Sequence, residues 1–247
     1  YILATDGDLQ EPVALGAAAI AGHLGLKKLV VYYDANDAQI SGTVSRSDSV
    51  DYATVFDGLG WNVQIIDGHD HSAMHFAIET AKVMDKPSII IGNTIMAKGS
   101  ASMEKDHNTH GAPLPQDEID LTKEKLGLPD KKFYVPAEVI EHFRTRYADL
   151  TNEAEKWSVR FGQLSKDSNF KNLIENTIGE KMVSGLKIPD FDSGEILATR
   201  KAFGAVLDSI ADFIPQLVGG SADLEPSNYT GNFAKKFGDF TKDNHSG

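Results

Sequence analysis

Asp6 and Asn36, thirty positions apart, are the residues whose types and setting point most directly to chemistry. Each closely follows a short apolar run, Tyr1-Ile2-Leu3-Ala4 before the first and Leu29-Val30-Val31-Tyr32-Tyr33 before the second. Runs of that length and composition read as buried strands. In an open parallel sheet, ligands bind beyond the carboxyl ends of the strands, so both residues would face one crevice. A carboxylate, an amide oxygen and a main-chain carbonyl form an all-oxygen set suited to a hard cation such as Mg²⁺ or Ca²⁺. Such an ion keeps places for phosphate oxygens, which makes a diphosphate the natural ligand, and Gly7 lets the backbone approach it. Each piece alone has a plainer reading, because Asp-Gly and Asp-x-Asn are common turn sequences. Spacing alone leaves both readings open.

The elements that must position these residues alternate. Pro12 sits where a first helical residue is favoured, Val13 to Leu24 is rich in Ala and Leu, and Gly25 suits the helix end. A strand is expected at Val63–Ile66, a helix from Ser72 to Met84 and a strand over Ser88–Gly92. Strands separated by helices imply βαβ units and an α/β fold with a parallel sheet flanked by helices. Beyond residue 115 the pattern predicts helices at Asp117–Leu126, Pro136–Leu164 and Asn169–Met182. Lys187 to Gly194 has the Pro, Gly and Asp content of a linker. A helix at Thr199–Ile214 and an apolar strand at Gln216–Gly220 then read as the start of a second α/β domain. The expected limits are residues 1–165 for the first domain, 166–195 for a linker and 196–247 for the opening of the second.

Composition removes several classes of function. With 24 basic and 36 acidic residues the formal charge is −12, which disfavours nonspecific nucleic-acid binding and a basic membrane surface. The absence of Cys excludes a disulfide scaffold, a thiolate metal site and a Cys nucleophile. Apolar stretches fall far short of the roughly 20 residues that span a bilayer. No nucleic-acid or membrane partner is therefore expected, and cytoplasm is the default compartment. The chain opens inside a strand without an initiator Met and ends without a closing element, so it reads as a fragment.

Five segments in order carry a resemblance. They are Asp6-Gly7 with Glu11 and Asn36; Ile66-Asp67-Gly68-His69-Asp70; Thr109-His110-Gly111-Ala112-Pro113-Leu114; Thr199-Arg200-Lys201; and Gly219-Gly220-Ser221-Ala222-Asp223-Leu224 with Pro226-Ser227-Asn228. Together they resemble the transketolase family of thiamine-diphosphate enzymes over nearly the whole chain. The strings His-Gly-Ala-Pro-Leu and Gly-Gly-Ser-Ala-Asp-Leu single out transketolases among thiamine enzymes. Thr5 stands where the family usually has Gly, Pro12 replaces a Gly and Ala38 replaces a larger aliphatic residue. None of these removes a ligand.

The resemblance implies a thiamine-diphosphate-binding fold and a set of roles. Asp6, Asn36 and the Ala38 carbonyl would hold Mg²⁺ (or Ca²⁺) against the cofactor diphosphate, with Gly7 beside it. Glu11 would join an acidic network at the subunit contact together with Asp223. Glu11 also suits the start of a helix as a carboxylate answering the dipole, and both readings can hold together. His110, in a loop beside Gly111 and Pro113, would lie near the diphosphate and the substrate hydroxyls as the catalytic histidine. Arg200 and Ser227 would bind the phosphate of a sugar substrate, a task that suits a guanidinium and a hydroxyl. For His69 a turn or strand-end role is favoured, and Lys98 reads as a solvated loop residue.

The implied activity is transfer of a two-carbon ketol unit from a ketose phosphate to an aldose phosphate through a thiamine-diphosphate enamine, as in the pentose phosphate pathway. A homodimer with its active site at the subunit interface is expected. The carboxylate that serves the cofactor's pyrimidine ring in this family falls downstream of Gly247, so the 247 residues alone are expected to be inactive. Two alternatives stand beside this reading. One is a noncatalytic or regulatory relative; the other is a different thiamine enzyme, such as a deoxyxylulose-phosphate synthase.

Overall fold

A computed structural model of the chain describes residues 1–178, 186–214 and 217–244. By internal contacts it falls into two compact units, Tyr1–Tyr134 and Val135–Gly247.

Four parallel strands form the first unit: β1 (Ile2–Thr5), β2 (Val30–Ala35), β3 (Asn62–Asp67) and β4 (Ser88–Asn93). Their spatial order is β1-β2-β4-β3. The chain leaves β2, skips one place to lay down β3, and returns to fill the gap with β4. Between strands come helices α1 (Asp6–Leu9), α2 (Pro12–His23), α3 (Tyr52–Gly58) and α4 (His71–Val83). Register aligns the carboxyl ends, with Thr5 opposite Asp34, Asp34 opposite Gly92, and Gly92 opposite Ile66. Whatever comes after these four residues therefore emerges along one edge of the sheet.

Alternation of side chains along the strands divides the core in two. Val31, Tyr33, Ile89 and Ile91 belong to one cluster, with Ala18 and Ala21 of α2 and Phe56 of α3. Val30 and Ile90 belong to another, with Ala77 and Ala81 of α4. β4 is buried on both faces, which explains its unbroken Ile89-Ile90-Ile91 run. Trp61, 2% exposed, meets Phe56 edge-on at 5.1 Å and donates its indole N–H to the Ala18 carbonyl at 2.9 Å. That bond ties the loop before β3 to the middle of α2.

The four expected strands and the helices at Val13–Leu24 and Ser72–Met84 are present within a residue or two. α3 is an addition. Its signal is local: Asp51 accepts from the Thr54 N–H at 3.2 Å and from the Thr54 hydroxyl at 2.7 Å, an N-cap written as Asp-x-x-Thr. The residues after β1, whose Asp-Gly pair has a plainer reading as a turn, instead form α1. Its start is set by Asp8, whose carboxylate accepts from the Thr5 N–H at 2.8 Å and the Thr5 hydroxyl at 2.9 Å. Thr at the usual Gly position thus has work of its own.

After α5 (Gln116–Lys125), the second unit opens with α6 (Ala137–Leu164), a helix of 28 residues. Trp157 stacks on Phe161 at 5.0 Å, and Phe161 meets Phe170 of α7 (Ser168–Ile178) edge-on at 5.8 Å. The expected continuation of α7 to Met182 lies outside the described residues, as does Gln216. α8 (Thr199–Ile210), α9 (Glu225–Asn228) and α10 (Gly231–Phe237) pack together, with no room for a side chain at Gly204 beside Tyr229. The expected strand at Gln216–Gly220 does not form over residues 217–220. A strand needs a partner for its N–H and C=O groups, and no described residue of this unit is in a strand. Leu217, Val218, Gly219 and Gly220 line a pocket wall instead. Among the described residues no helix is long and apolar enough to cross a membrane.

Candidate functional site

At the carboxyl edge of the sheet, the Asp6 carboxylate is 3% exposed. Its Oδ1 accepts a short hydrogen bond from the Tyr33 hydroxyl, and its Oδ2 is buried without a partner. Burial pushes the Asp6 carboxyl above the usual carboxylate range; Tyr33 and the N–H groups of Asn36 and Ala38 offset this in part, while Asp34 adds to it. The same burial, together with the Asp6 charge, drives the Tyr33 hydroxyl far above its ordinary value, so it remains a donor. Asp6 therefore sits against the Asn36–Ala38 loop with one oxygen unanswered.

That loop is shaped for the purpose by local chemistry. Asp37 takes a left-handed conformation at φ 55°, and its carboxylate accepts from the Val44 N–H at 3.0 Å. Asn36 Oδ1 accepts from the Ala38 N–H at 3.0 Å, and Asn36 Nδ2 donates to Asp34 Oδ2 at 3.1 Å. Asp34 Oδ1 in turn accepts from the Thr94 hydroxyl, just beyond β4. A cleft of about 530 Å³ opens beside these groups, lined by Thr5, Tyr32, Asp34, Asn36, His69 and Thr94 among others.

The donor set fits a hard cation. Among the described residues there is no cluster of three or more His, Cys, Asp or Glu that could hold a metal unaided. One carboxylate, one amide oxygen and one carbonyl leave half of an octahedral shell to be filled from outside, as phosphate oxygens would fill it. The orphaned Asp6 Oδ2 is the group that such an ion would satisfy. Gly7 is exposed, and a side chain there would meet nothing within 4 Å, so its surroundings are open to a ligand.

A family model described as the thiamine diphosphate binding domain of transketolase matches residues 1–182. The chain belongs to the transketolase family. A transketolase from Staphylococcus epidermidis is 34% identical over 257 aligned residues, covering 100% of this chain and 38% of that protein. The structure of transketolase from Leishmania mexicana superposes with a TM-score of 0.89 at 31% identity, covering 100% of this chain and 38% of that one. A Pichia stipitis transketolase in complex with sedoheptulose 7-phosphate gives 0.82 at 32% identity, covering 93% and 35%. The chain thus spans little more than a third of the length of the transketolases it matches.

Of the other positions named by the resemblance, Glu11 and His110 do not line the cleft beside Asn36. Glu11 is exposed at the N-cap of α2, the helix-start position, with no side-chain cap bond. His110 is exposed after a short 3-10 turn, His107–Thr109, and does not line the Asp34–Asn36 cleft. In the second unit, Arg200 lines a pocket of about 680 Å³ with Thr199, Ser221 and Asn228. Ser227 is exposed on α9, and its neighbour Asn228 is the one that lines this pocket. Asp223, exposed, takes a left-handed conformation at φ 58°.

Three residues acquire a site role that spacing did not suggest. Tyr33 and Thr94 are the hydroxyl donors to Asp6 and Asp34, and His69 Nε2 accepts from the Ile95 N–H at 2.8 Å. His69 thereby pins the loop after β4 that lines the cleft. The sequence holds a trace of this only in that Tyr33 and Thr94 adjoin the ends of adjacent strands.

Proposed function

We propose that the chain is the diphosphate-holding part of a transketolase, acting in transfer of a two-carbon ketol unit from a ketose phosphate to an aldose phosphate. The observation that carries this is the buried Asp6 carboxylate with one unpartnered oxygen beside Asn36 and Ala38. Asp6, Asn36 and the Ala38 carbonyl would hold Mg²⁺, and the ion would hold the diphosphate. When bound, thiamine diphosphate supplies the electron sink that lets a carbon–carbon bond next to a carbonyl break. Tyr33 orients Asp6, and His69 and Thr94 hold the loop that walls the cleft. His110 would hydrogen-bond or move a proton at the substrate hydroxyls, and Arg200 with Ser227 would take the sugar phosphate. Family membership and the substrate-bound Pichia stipitis relative support the sugar-phosphate class.

The proposed domain limits remain 1–165 for the later part of the diphosphate-binding domain, 166–195 for a linker and 196–247 for the start of the pyrimidine-binding domain. A homodimer belongs to this reading, with Glu11 and Asp223 in the acidic network between subunits. It is supported by the apolar outer face of α2, where Val13 is 76% and Ile20 61% exposed next to Glu11. A cytoplasmic location and the pentose phosphate pathway go with it as its setting.

Titration of the chain with Mg²⁺ and thiamine diphosphate, followed by calorimetry, tests the reading. Binding is expected to require both, and to be lost with thiamine monophosphate. Binding equally well without a divalent cation would remove the basis of the proposal. Ketol transfer from xylulose 5-phosphate to ribose 5-phosphate, set against pyruvate as donor, separates a transketolase from other thiamine enzymes. This test belongs to a protein of the relatives' full length, since the chain spans little more than a third of the transketolases it matches.

A further inference from the structure

We infer that Asp34, braced by Thr94, is a positioning residue that sets which end of the Asn36 amide faces the cation. The inference rests on the proposed cation site and adds to it a residue that touches neither metal nor diphosphate.

An Asn side chain presents an oxygen on one side and an NH₂ on the other, and only the oxygen can bind a cation. Rotation by half a turn about the last bond would exchange them and turn two N–H donors toward the ion. Two contacts oppose that exchange. Asn36 Nδ2 donates to Asp34 Oδ2 at 3.1 Å, and Asn36 Oδ1 accepts from the Ala38 N–H at 3.0 Å. Flipped, the amide would set oxygen against carboxylate and NH₂ against N–H. The oxygen keeps a second lone pair for a metal.

Asp34 could not hold the amide if it were itself free to turn. Its other oxygen accepts from the Thr94 hydroxyl, sixty positions further along the chain and just beyond the neighbouring strand. The two strand ends are locked in register, with Ala35 opposite Asn93 and the Thr94 N–H on the Ala35 carbonyl at 3.2 Å. The order Thr94–Asp34–Asn36 is thus a relay of orientation, from a β4 loop to a β2 loop. Partners of this kind, one bond removed from the ligand, commonly change metal affinity by about 10–100-fold when lost.

The test is the affinity of the chain for Mn²⁺ in the presence of thiamine diphosphate, read by electron paramagnetic resonance, with circular dichroism as the check on folding. Asp34→Leu is close in size and removes both acceptor oxygens, and affinity should fall by about 10–100-fold. Thr94→Val should produce a smaller loss of the same kind, and it serves if the Asp34 variant does not fold. Wild-type affinity in both Asp34→Leu and Thr94→Val would overturn the inference while leaving the cation site intact. Failure of the wild-type chain to bind Mn²⁺ at all would overturn the site and this inference together.

Discussion

The Tyr33 hydroxyl donates to Asp6 Oδ1 from the next strand, while Asp6 Oδ2, on the same buried carboxylate, has no partner. One oxygen is thus held and the other is without a partner. In the proposed cation site this asymmetry makes Asp6 a directional ligand rather than a general acidic group. It would give the carboxylate two separable roles, one in the stability of the fold and one in cation binding.

Stability of the free chain should carry the mark of Asp6 in its pH dependence. Burial raises the Asp6 pKa in the fold above its ordinary value of 3.8, so the folded state holds this proton more tightly than the unfolded chain. The stability that the protonated group contributes is complete below 3.8 and is lost as pH rises through the raised folded value. Asp6→Asn removes that component. Thermal melts from about pH 3.5 to 8 should therefore show a wild-type decline that the variant lacks, taken as the difference between the two proteins. With Mg²⁺ and a diphosphate present, the ionised form gains a partner and the wild type should recover its stability at neutral pH. Asp6→Asn should show no such recovery.

Tyr33→Phe leaves the ring packing of the first core cluster in place, including its edge-on contact with Tyr52 at 5.8 Å, and deletes only the donor. A buried carboxylate that loses its hydrogen bond costs about 1–3 kcal/mol. Urea denaturation at neutral pH should report a loss in that range with an unchanged slope. Cation affinity should fall as well, because Oδ1 no longer fixes the direction of Oδ2. A variant as stable as the wild type would mean that water replaces the hydroxyl.

Much of the scaffold was legible because strand and helix alternate with clear composition, as in Val30–Tyr33 and Ile89–Ile91. The proposed cation loop was suggested by Asp6 and Asn36, each of which directly follows one of two consecutive strands. What was hidden was relational. Nothing in the sequence near Asp34 names Thr94, sixty positions on, and nothing near His69 names the Ile95 N–H; both pairings exist only because β4 is inserted between β2 and β3. Over residues 217–220 the expected strand failed for the opposite reason. Their apolar composition was read correctly, but with no described residue of that unit in a strand they line a pocket wall instead.

Close packing under the cleft gives a steric prediction. A side-chain carbon at Gly92 would run into the Tyr32 ring and hydroxyl, and one at Gly68 would meet Thr94 and the same hydroxyl. Tyr32 also lines the cleft. Gly92→Ala should therefore cost about 1–3 kcal/mol, the usual range for overpacking. Because the conflict is with Tyr32, the loss should be partly relieved by Tyr32→Phe, which removes the overlapping hydroxyl. Equilibrium unfolding of the two single variants and the double variant measures this coupling, which should be favourable. Simple additivity would show that the strand backbone, and not the tyrosine, resists the substitution.

α2 is apolar on every side: Ala18 and Ala21 face the core, while Val13 and Ile20 face outward. A helix with that character is normally covered on both faces. If a second copy provides the cover, Ile20→Lys puts a buried charge into the contact and should shift the assembly toward monomer. The dissociation constant, measured by sedimentation equilibrium, should rise by at least about tenfold, equal to roughly 1.4 kcal/mol. Outside the contact, a lysine on a helix surface changes monomer stability by no more than about 0.5 kcal/mol. The monomer's own unfolding should therefore be almost unchanged. Weakened association with intact folding separates an interface residue from a core residue. A wild-type chain that sediments as a monomer at all concentrations tested would instead show that a second copy does not cover this face.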